Sequence, residues 1–269
     1  MTPDNFSQEL NIEYNNITSN LAAPLNEYEK SVFLTKALEQ IVFELIPSYE
    51  TNERARKLLV PLLEVATLKP TVHNLDEIRI ADNSVFFLLP NDLIAIVYED
   101  VKIKSTVNDK CLAGKHVEVF PTSHDTYYRI KDNPFRGNSS RRCMRFDVSI
   151  GDYNIKEYID AEDSQFPIDI VATSEEVDIH TETSAFGKFS EIVYNKSKEI
   201  EYYKIRYLRM PHPIITVNLL TEYPQKNVSI NGYTDVSGCE LDASIHRSIV
   251  ETAAAMAASA YKRVERVSN

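Results

Sequence analysis

The first strong pattern of apolar positions lies between residues 32 and 46, where hydrophobic side chains recur at helical spacing. Just before it, Asn26 followed by Glu29 matches a helix N-cap with its reciprocal partner, and Pro47 ends the pattern. The pattern therefore predicts an amphipathic helix over this stretch. The members of its apolar face are Val32, Phe33, Leu34, Ala37, Leu38, Ile41, Val42, Leu45 and Ile46.

A second helix is predicted to begin at Thr51 or Asn52 and to carry apolar residues between positions 58 and 66. Pro61 lies inside this pattern, and a proline in a helix interior removes a hydrogen bond and clashes with the preceding turn. We therefore expect Pro61 either to kink the helix or to mark its true first turn.

A third helix is predicted near the end of the chain. Asp242 suits the N-cap position, and apolar residues follow it at helical spacing from Ile245 to Val264. Seven alanines between residues 243 and 260 add strong intrinsic helix propensity. They also predict a smooth face that another helix can approach closely.

Between residues 76 and 235 the pattern changes to short runs rich in β-branched and aromatic residues, separated by turn residues. Few of the turns contain Gly, so we expect type I turns built on Pro, Asn, Asp and Ser. The predicted strands are Ser84–Leu89, Ile94–Val101, Val117–Phe120, Arg142–Ile150, Ile168–Val171, Tyr202–Leu208 and Pro213–Leu219.

Helices thus flank a strand-rich region, and amphipathic helices need partners to bury their apolar faces. The simplest arrangement predicts an α+β fold, in which a discontinuous helical bundle carries an inserted antiparallel β-sandwich or barrel-like domain. We assign residues 24–72 and 240–269 to the bundle and residues 73–239 to the β domain. Residues 1–23 are polar and rich in Asn, which predicts a flexible tail.

Composition narrows the class of protein. The 269 residues carry a formal net charge of −11, which disfavours sequence-independent nucleic-acid binding over the whole surface. Only 6 residues are Gly, so glycine-rich phosphate loops are nearly excluded. The three cysteines match no metal or disulfide pattern, and no stretch has the length and hydrophobicity of a signal or membrane span. We expect a soluble protein that is made in a cytoplasm.

The sequence contains no strong signature of catalysis or metal binding. None of the six histidines has the spacing of a metal site, and no nucleophile elbow, P-loop or kinase motif occurs. His124 beside Asp125 could support acid–base chemistry, but such a pair in a loop is common by chance. We predict no enzymatic activity, no cofactor and no metal.

The clearest local signal is electrostatic. Residues 127–145 contain six basic residues and one acid, whereas residues 147–182 contain eleven acids and one base. Three interpretations stay open: two solvated loops, a phosphate-binding patch, or a heterologous interface in which the basic stretch of one copy meets the acidic stretch of the next. The third interpretation predicts a closed ring of identical subunits.

Three segments in order resemble one family. They are Tyr127–Val148, Tyr203–Leu219 and Cys239–Tyr261, which contain "NPFR" at Asn133–Arg136, "IRYL…P.PII" at Ile205–Ile215 and "EL…H..I…A" at Glu240–Ala253. Together they resemble virion structural proteins of short-tailed crAss-like bacteriophages, including ring and head-to-tail connector (adaptor) proteins.

The resemblance implies a structural ring protein of twelve copies in the tail or connector of the virion. It implies docking below the portal protein beside other tail rings, with DNA passing through the channel without sequence-specific binding. A host-surface or carbohydrate-binding module of the virion is the alternative. We expect no membrane partner and synthesis in the host cytoplasm. The residues predicted at subunit or portal contacts are Arg129, Arg136, Arg141, Arg142, Arg145, Glu162, Asp163, Glu175, Glu176 and His246.

Overall fold

A computed structural model describes residues 1–18, 23–70, 80–105, 113–133, 142–150, 187–226 and 228–268. The chain forms two compact units: Met1–Leu63 together with Leu208–Asn269, and Glu64–Tyr207. We call these the helical unit and the sheet unit. No helix among the described residues is both long and apolar enough to cross a membrane. The fold is α+β, as the sequence predicted, with six α-helices in the described residues.

The helical unit begins with α1 (Pro3–Thr18), where the sequence predicted a flexible tail. This expectation needs correcting for residues 3–18, because Phe6, Leu10 and Tyr14 recur every four residues and are buried on one face. That face packs against the C-terminal helix. The sequence pattern did not predict this helix, because only one residue in four belongs to the apolar stripe and the residues between are mostly polar.

Helix α2 (Glu27–Leu45) confirms the first predicted helix. The Asn26 side chain accepts a hydrogen bond from the backbone N–H of Glu29 at 2.8 Å, and the Glu29 carboxylate accepts one from the Asn26 N–H at 2.9 Å. This reciprocal pair satisfies two backbone donors at the helix start. Leu34, Leu38 and Val42 are buried on its apolar face, and Pro47 lies in a short 3₁₀ turn after the helix.

The second predicted helix is real but shorter than expected. Helix α3 (Glu53–Leu59) starts after the N-cap Asn52, and a 3₁₀ turn, Val60–Leu62, contains Pro61. Strand β1 (Leu63–Leu68) follows directly. Pro61 therefore terminates the helix rather than kinking it. It has no backbone N–H to donate to the preceding turn, and its ring clashes with that turn.

The segment predicted as a strand at Pro213–Leu219 is not a regular strand. Only Ile215 forms an isolated bridge, to Ser237, and a short helix α5 (Leu219–Glu222) begins at the end of the segment. The backbone N–H of Ile214 donates to the Thr35 hydroxyl at 3.2 Å, and that of Thr216 donates to the Ser31 hydroxyl at 3.1 Å. Side chains of α2 thus take the place of a neighbouring strand.

A tight turn follows α5. Asn231 and Gly232 both have positive φ, of 51° and 85°, and Ile230 and Tyr233 exchange two backbone hydrogen bonds of 2.9 Å across them. Asn-Gly is the pair that such a turn favours, because Asn tolerates this region and Gly has no Cβ.

Helix α6 (His246–Ser268) confirms the predicted C-terminal helix. The Asp242 side chain accepts from the Ser244 N–H at 2.9 Å and caps a 3₁₀ turn, Ala243–Ile245, that leads into the helix. Both α1 and α2 pack against α6. The small residues permit this close approach; buried members include Ala253, Ala254, Ala257 and Ala258.

The sheet unit holds one curled sheet in the form of a half-barrel, with strand order β1-β7-β3-β4-β5-β6-β2. The further strands are β2 (Ser84–Leu88), β3 (Leu93–Ile103), β4 (His116–Pro121), β5 (Arg142–Ile150), β6 (Gly187–Val193) and β7 (Ile200–Arg209). A short helix, α4 (His124–Ile130), lies between β4 and β5 in the chain. The predicted strand Ile168–Val171 lies outside the described residues.

This sheet differs from the predicted antiparallel sandwich or barrel. Strands β4 and β5 pair in parallel, with Glu118 opposite Arg142 and Val119 opposite Cys143, while β3–β4, β5–β6 and β2–β6 are antiparallel. A parallel pair needs a longer crossover than a hairpin, and α4 lies within that connection. The curl encloses a core that includes Phe87, Val101, Ile103, Val117, Cys143, Ile192, Tyr203 and Ile205. On the other face, Tyr127 and Ile130 of α4 pack with Met144, Phe146 and Val193.

Candidate subunit interface

The outer face of the curled sheet is charged where β7, β3 and β4 lie side by side, whereas on β5 and β6 it is apolar and packs against α4. Along β7, Tyr203, Ile205 and Tyr207 enter the core, so the alternate residues Lys204 and Arg206 lie on the opposite side. The same alternation on the neighbouring strands produces an outer row beside them. We call this surface the outer sheet face and define it as Tyr98, Asp100, Lys102, His116, Glu118, Lys204 and Arg206.

Part of this charge is neutralised within the face. Nδ1 of His116, on β4, lies 2.7 Å from a carboxylate oxygen of Asp100, on the paired strand β3. Nζ of Lys102 lies 3.3 Å from the Glu201 carboxylate. Lys102 also lies over the ring of Tyr202, at 5.3 Å from its centroid, which adds a cation–π attraction.

Lys204 and Arg206 differ from these paired residues. In the part of the chain that the structure describes, neither has a carboxylate oxygen within 4 Å. The Arg206 guanidinium lies over the ring of Tyr98 at 5.9 Å. Burial, helped by the nearby Asp100 carboxylate, raises the pKa of Tyr98, which keeps its hydroxyl protonated. Two cations are thus held at the surface with no anionic partner among the residues that the structure describes.

Two of the basic residues predicted at the interface reach the surface. Arg129 is exposed in the last turn of α4. Arg142 begins β5 and lies opposite Glu118 of β4 in the strand register. Its guanidinium lies 4.7 Å from the centroid of the Phe120 ring. Among the predicted interface residues, Arg136, Arg141, Glu162, Asp163, Glu175 and Glu176 lie outside the described residues.

Arg145 is an exception that corrects the sequence-based expectation. Its side chain is 10% exposed and points to the interior of the sheet, with Nε 3.4 Å from the Glu99 carboxylate and Nη1 3.6 Å from that of Asp147. The Tyr203 hydroxyl donates to Glu99 at 2.5 Å. Burial raises the pKa of Glu99 although Arg145 and Tyr203 oppose this shift. Arg145 therefore balances an internal carboxylate and does not form part of the subunit surface.

His246 also lies in the interior rather than at a surface. It is 6% exposed, and the Phe6 ring packs against it with centroids 5.2 Å apart. Nδ1 lies 2.9 Å from the Met1 amino group, which can only donate, and Nε2 lies 3.0 Å from the Leu241 carbonyl, which can only accept. Nδ1 therefore accepts and Nε2 donates, and the ring fastens the start of α1 to the start of α6.

The sequence did not predict a cluster of charges in the helical unit. Glu240 accepts hydrogen bonds from Arg209 and lies 2.5 Å from Nδ1 of His212. Burial raises the pKa of Glu240, but the bonds from Arg209 and His212 outweigh this effect and lower it overall. Arg209 and His212 lie in the "IRYL…P.PII" segment and Glu240 begins the "EL" segment. The motifs identified the segments, but not that their charged residues meet.

A second cluster joins three parts of the helical unit. The Glu27 carboxylate accepts from Lys30 Nζ at 2.6 Å, from the Ser7 hydroxyl at 3.1 Å and from the Thr216 hydroxyl at 2.7 Å. These contacts tie α1 and the 213–217 segment to the first turn of α2. Although burial raises the pKa of Glu27, the Lys30 and Thr216 hydrogen bonds lower it overall. Both clusters stabilise the subunit itself.

Catalytic or metal chemistry gains no support from the described residues. Among them, no group of three or more His, Cys, Asp or Glu side chains is arranged to hold a metal ion. His124 is exposed at the start of α4, where its ring packs against Phe146 with centroids 5.5 Å apart.

Comparison with known proteins gives the class. The model of the family described as phage tail ring protein 3/4 matches residues 1–267. Ring protein 3 of Bacteroides phage crAss001 is 32% identical over 269 residues, covering 96% of this chain and 95% of that protein. Ring protein 4/5 of the same phage is 29% identical over 270 residues, covering 97% and 94%.

These matches define a structural protein of a bacteriophage tail, located in the virion. The chain belongs to the phage tail ring protein 3/4 family. The resemblance to ring proteins of crAss-like phages, inferred from three short motifs, is confirmed over almost the whole chain.

Proposed function

We propose that this chain is the subunit of a closed homo-oligomeric ring of twelve copies in the phage tail or head-to-tail connector. Its membership of the tail ring protein family over residues 1–267 carries the proposal. The ring docks below the portal protein, contacts neighbouring tail rings and surrounds the DNA channel. Its role is structural rather than catalytic.

The proposed path of DNA includes an acidic channel wall, because a wall rich in carboxylates repels phosphates instead of binding them. DNA would therefore pass without adhering and without being read in a sequence-specific way. A ring whose channel wall proves to be strongly basic would contradict this part of the proposal.

The contacts between subunits are proposed to be heterologous, because such contacts close into rings when the rotation between copies fits. The basic stretch of one copy faces the acidic stretch of the next, and complementary charge sets register and orientation. The residues assigned to these contacts are Arg129, Arg136, Arg141, Arg142, Glu162, Asp163, Glu175 and Glu176. Arg145 and His246 are excluded because both are buried within the subunit.

Electron microscopy of the purified full-length chain, alone and mixed with portal protein, tests the ring. We expect closed rings with twelvefold symmetry that bind the portal. Arg142→Glu should weaken assembly, whereas Lys226→Glu, at an exposed position in the helical unit, should not. A chain that stays monomeric even with portal present would contradict the proposed function. Rings that are unaffected by Arg142→Glu would contradict only the interface assignment.

A further inference from the structure

We propose that the outer sheet face receives the acidic segment 152–182 of a neighbouring copy, with Lys204 and Arg206 as the cations that bind its carboxylates. The inference rests on the proposed ring and names a surface for one of its contacts. The sequence alone did not single out either residue, because apolar and aromatic residues separate the charged positions along β7 and the bases form no continuous run.

Within the described part of the chain, these two cations lack carboxylate partners on a face where other cations have them. Lys102 is paired with Glu201, and His116 is paired with Asp100. Lys204 and Arg206 have no carboxylate within 4 Å among the described residues, yet they lie side by side on one strand. Arg206 is also positioned by the Tyr98 ring, so less conformational entropy is lost when it binds an anion.

The surface around these cations is concave. Tyr98, Asp100, His116, Lys204 and Arg206 line one depression of about 350 Å³ on the outer sheet face. Asp100 is 6% exposed, and His116 engages its carboxylate. The depression therefore presents two cations, which have no carboxylate partner among the described residues, beside an aromatic ring, and this suits the insertion of a carboxylate side chain.

The chain's own acidic stretch complements these cations in charge. Residues 152–182 contain ten acidic residues and one lysine. A continuous polyphosphate fits the face less well, because Asp100 and Glu118 lie on the same face and would repel a phosphate backbone. Separate carboxylates on a peptide can approach the cations and avoid these acids. In a heterologous ring, each copy supplies the segment on one side and the face on the other.

Paired charge-reversal variants of the full-length chain test the contact. K204E/R206E should raise the concentration for half-maximal ring assembly at least tenfold, measured by mass photometry. K36E/K226E makes the same change in net charge at exposed positions in the helical unit and should assemble like the wild type. Adding E175K/E176K to K204E/R206E should restore assembly, because the sign of both partners is then exchanged.

The outcomes separate the inference from the proposed function. If the wild-type chain forms no rings, alone or with portal, the ring proposal and this inference fail together. If wild-type rings form and K204E/R206E assembles as well as K36E/K226E, only the outer sheet face is refuted. Failure of the charge exchange to restore assembly, with circular dichroism showing folded protein, also overturns the inference.

Cross-linking distinguishes a contact between copies from one within a copy. Lys204→Cys subunits are mixed with Glu175→Cys subunits and oxidised, and each variant is oxidised alone as a control. We expect a covalent dimer that forms only in the mixture and contains one of each subunit. An internal cross-link in a Lys204→Cys/Glu175→Cys double variant, with no dimer in the mixture, would show that the segment covers its own sheet and would overturn the proposal.

Discussion

The carboxylate of Glu240 accepts one hydrogen bond from each terminal nitrogen of the Arg209 guanidinium, at 3.1 and 3.0 Å. Arg209 ends β7 and Glu240 precedes α6, so the two side chains that form this bidentate pair lie 31 positions apart in the chain. Both side chains are largely shielded, at 12% and 25% exposed. The pair fixes where the C-terminal part of the chain enters the helical unit.

Arg209→Lys should lower the free energy of unfolding by about 1–3 kcal/mol, because an ammonium group cannot reproduce the two parallel hydrogen bonds. The matched control is Arg247→Lys, which alters an exposed pair with Glu251 on α6 and should cost under about 0.5 kcal/mol. Urea unfolding followed by circular dichroism measures both. Equal losses of unfolding free energy in the two variants would show that the bidentate geometry of Arg209 adds no stability beyond that of an exposed ion pair.

Acid should destabilise the helical unit through Glu27 and Glu240. Hydrogen bonds lower the pKa of each carboxyl below its ordinary value of 4.5 in the folded state. Each therefore contributes stability that is full above the unfolded-state pKa and is lost as pH falls through the folded-state pKa. Thermal unfolding between pH 6 and pH 3 should show a falling midpoint, and Glu240→Gln should make that fall shallower. An unchanged slope in the variant would contradict the assignment.

Helix α1 should depend on Phe6 for its docking. Phe6 is fully buried against α6, so Phe6→Ala should cost about 3–5 kcal/mol and should speed hydrogen exchange along α1. Ile12→Ala provides the control on the same helix, because Ile12 is 59% exposed and should change stability by under about 0.5 kcal/mol. If α1 exchanges equally fast in the wild type and in Phe6→Ala, its packing is not as described.

The hydrogen bond from the Tyr203 hydroxyl to the buried Glu99 carboxylate should contribute to the stability of the fold. Tyr203→Phe removes its 2.5 Å donor and should lower the free energy of unfolding by about 1–3 kcal/mol, the penalty of an unsatisfied buried group. Tyr202→Phe, one position along on the outer side of β7, is the control and should be nearly neutral. Denaturant titration of the two variants compares them, and a neutral Tyr203→Phe would count against the buried pair.

Local sequence signals predicted the elements whose boundaries are set by local chemistry. The capping box at Asn26 and Glu29 placed the start of α2, and the alternation from Arg142 to Ile150 gave β5 its observed bounds. Helix α1 was missed because its burial depends on α6, more than 200 residues away. Likewise, Pro213–Leu219 has the composition of a strand, but hydroxyl groups of α2 bind its backbone.

The same distinction applies to the candidate interface. Counting charges along the chain gave the same weight to Arg142 and Arg145, although the first lies outside the sheet and the second inside it. The direction of an arginine on a strand depends on register and pairing, which the charge count did not include. Lys204 and Arg206 were missed because the surface that they share with Tyr98 exists only when β7 is placed beside β3.

The discontinuous helical unit imposes an order on folding during synthesis. The sheet unit, Glu64–Tyr207, is continuous in the chain, whereas the helical unit needs residues 208–269 to complete its core. Helix α1 therefore leaves the ribosome long before the helix that covers Phe6 exists. At about 5–20 residues per second, residues 208–269 take roughly 3–12 s to follow the sheet unit. The face of α1 that packs against α6 stays uncovered until then, whereas all residues of the sheet unit are already present and that unit can fold first.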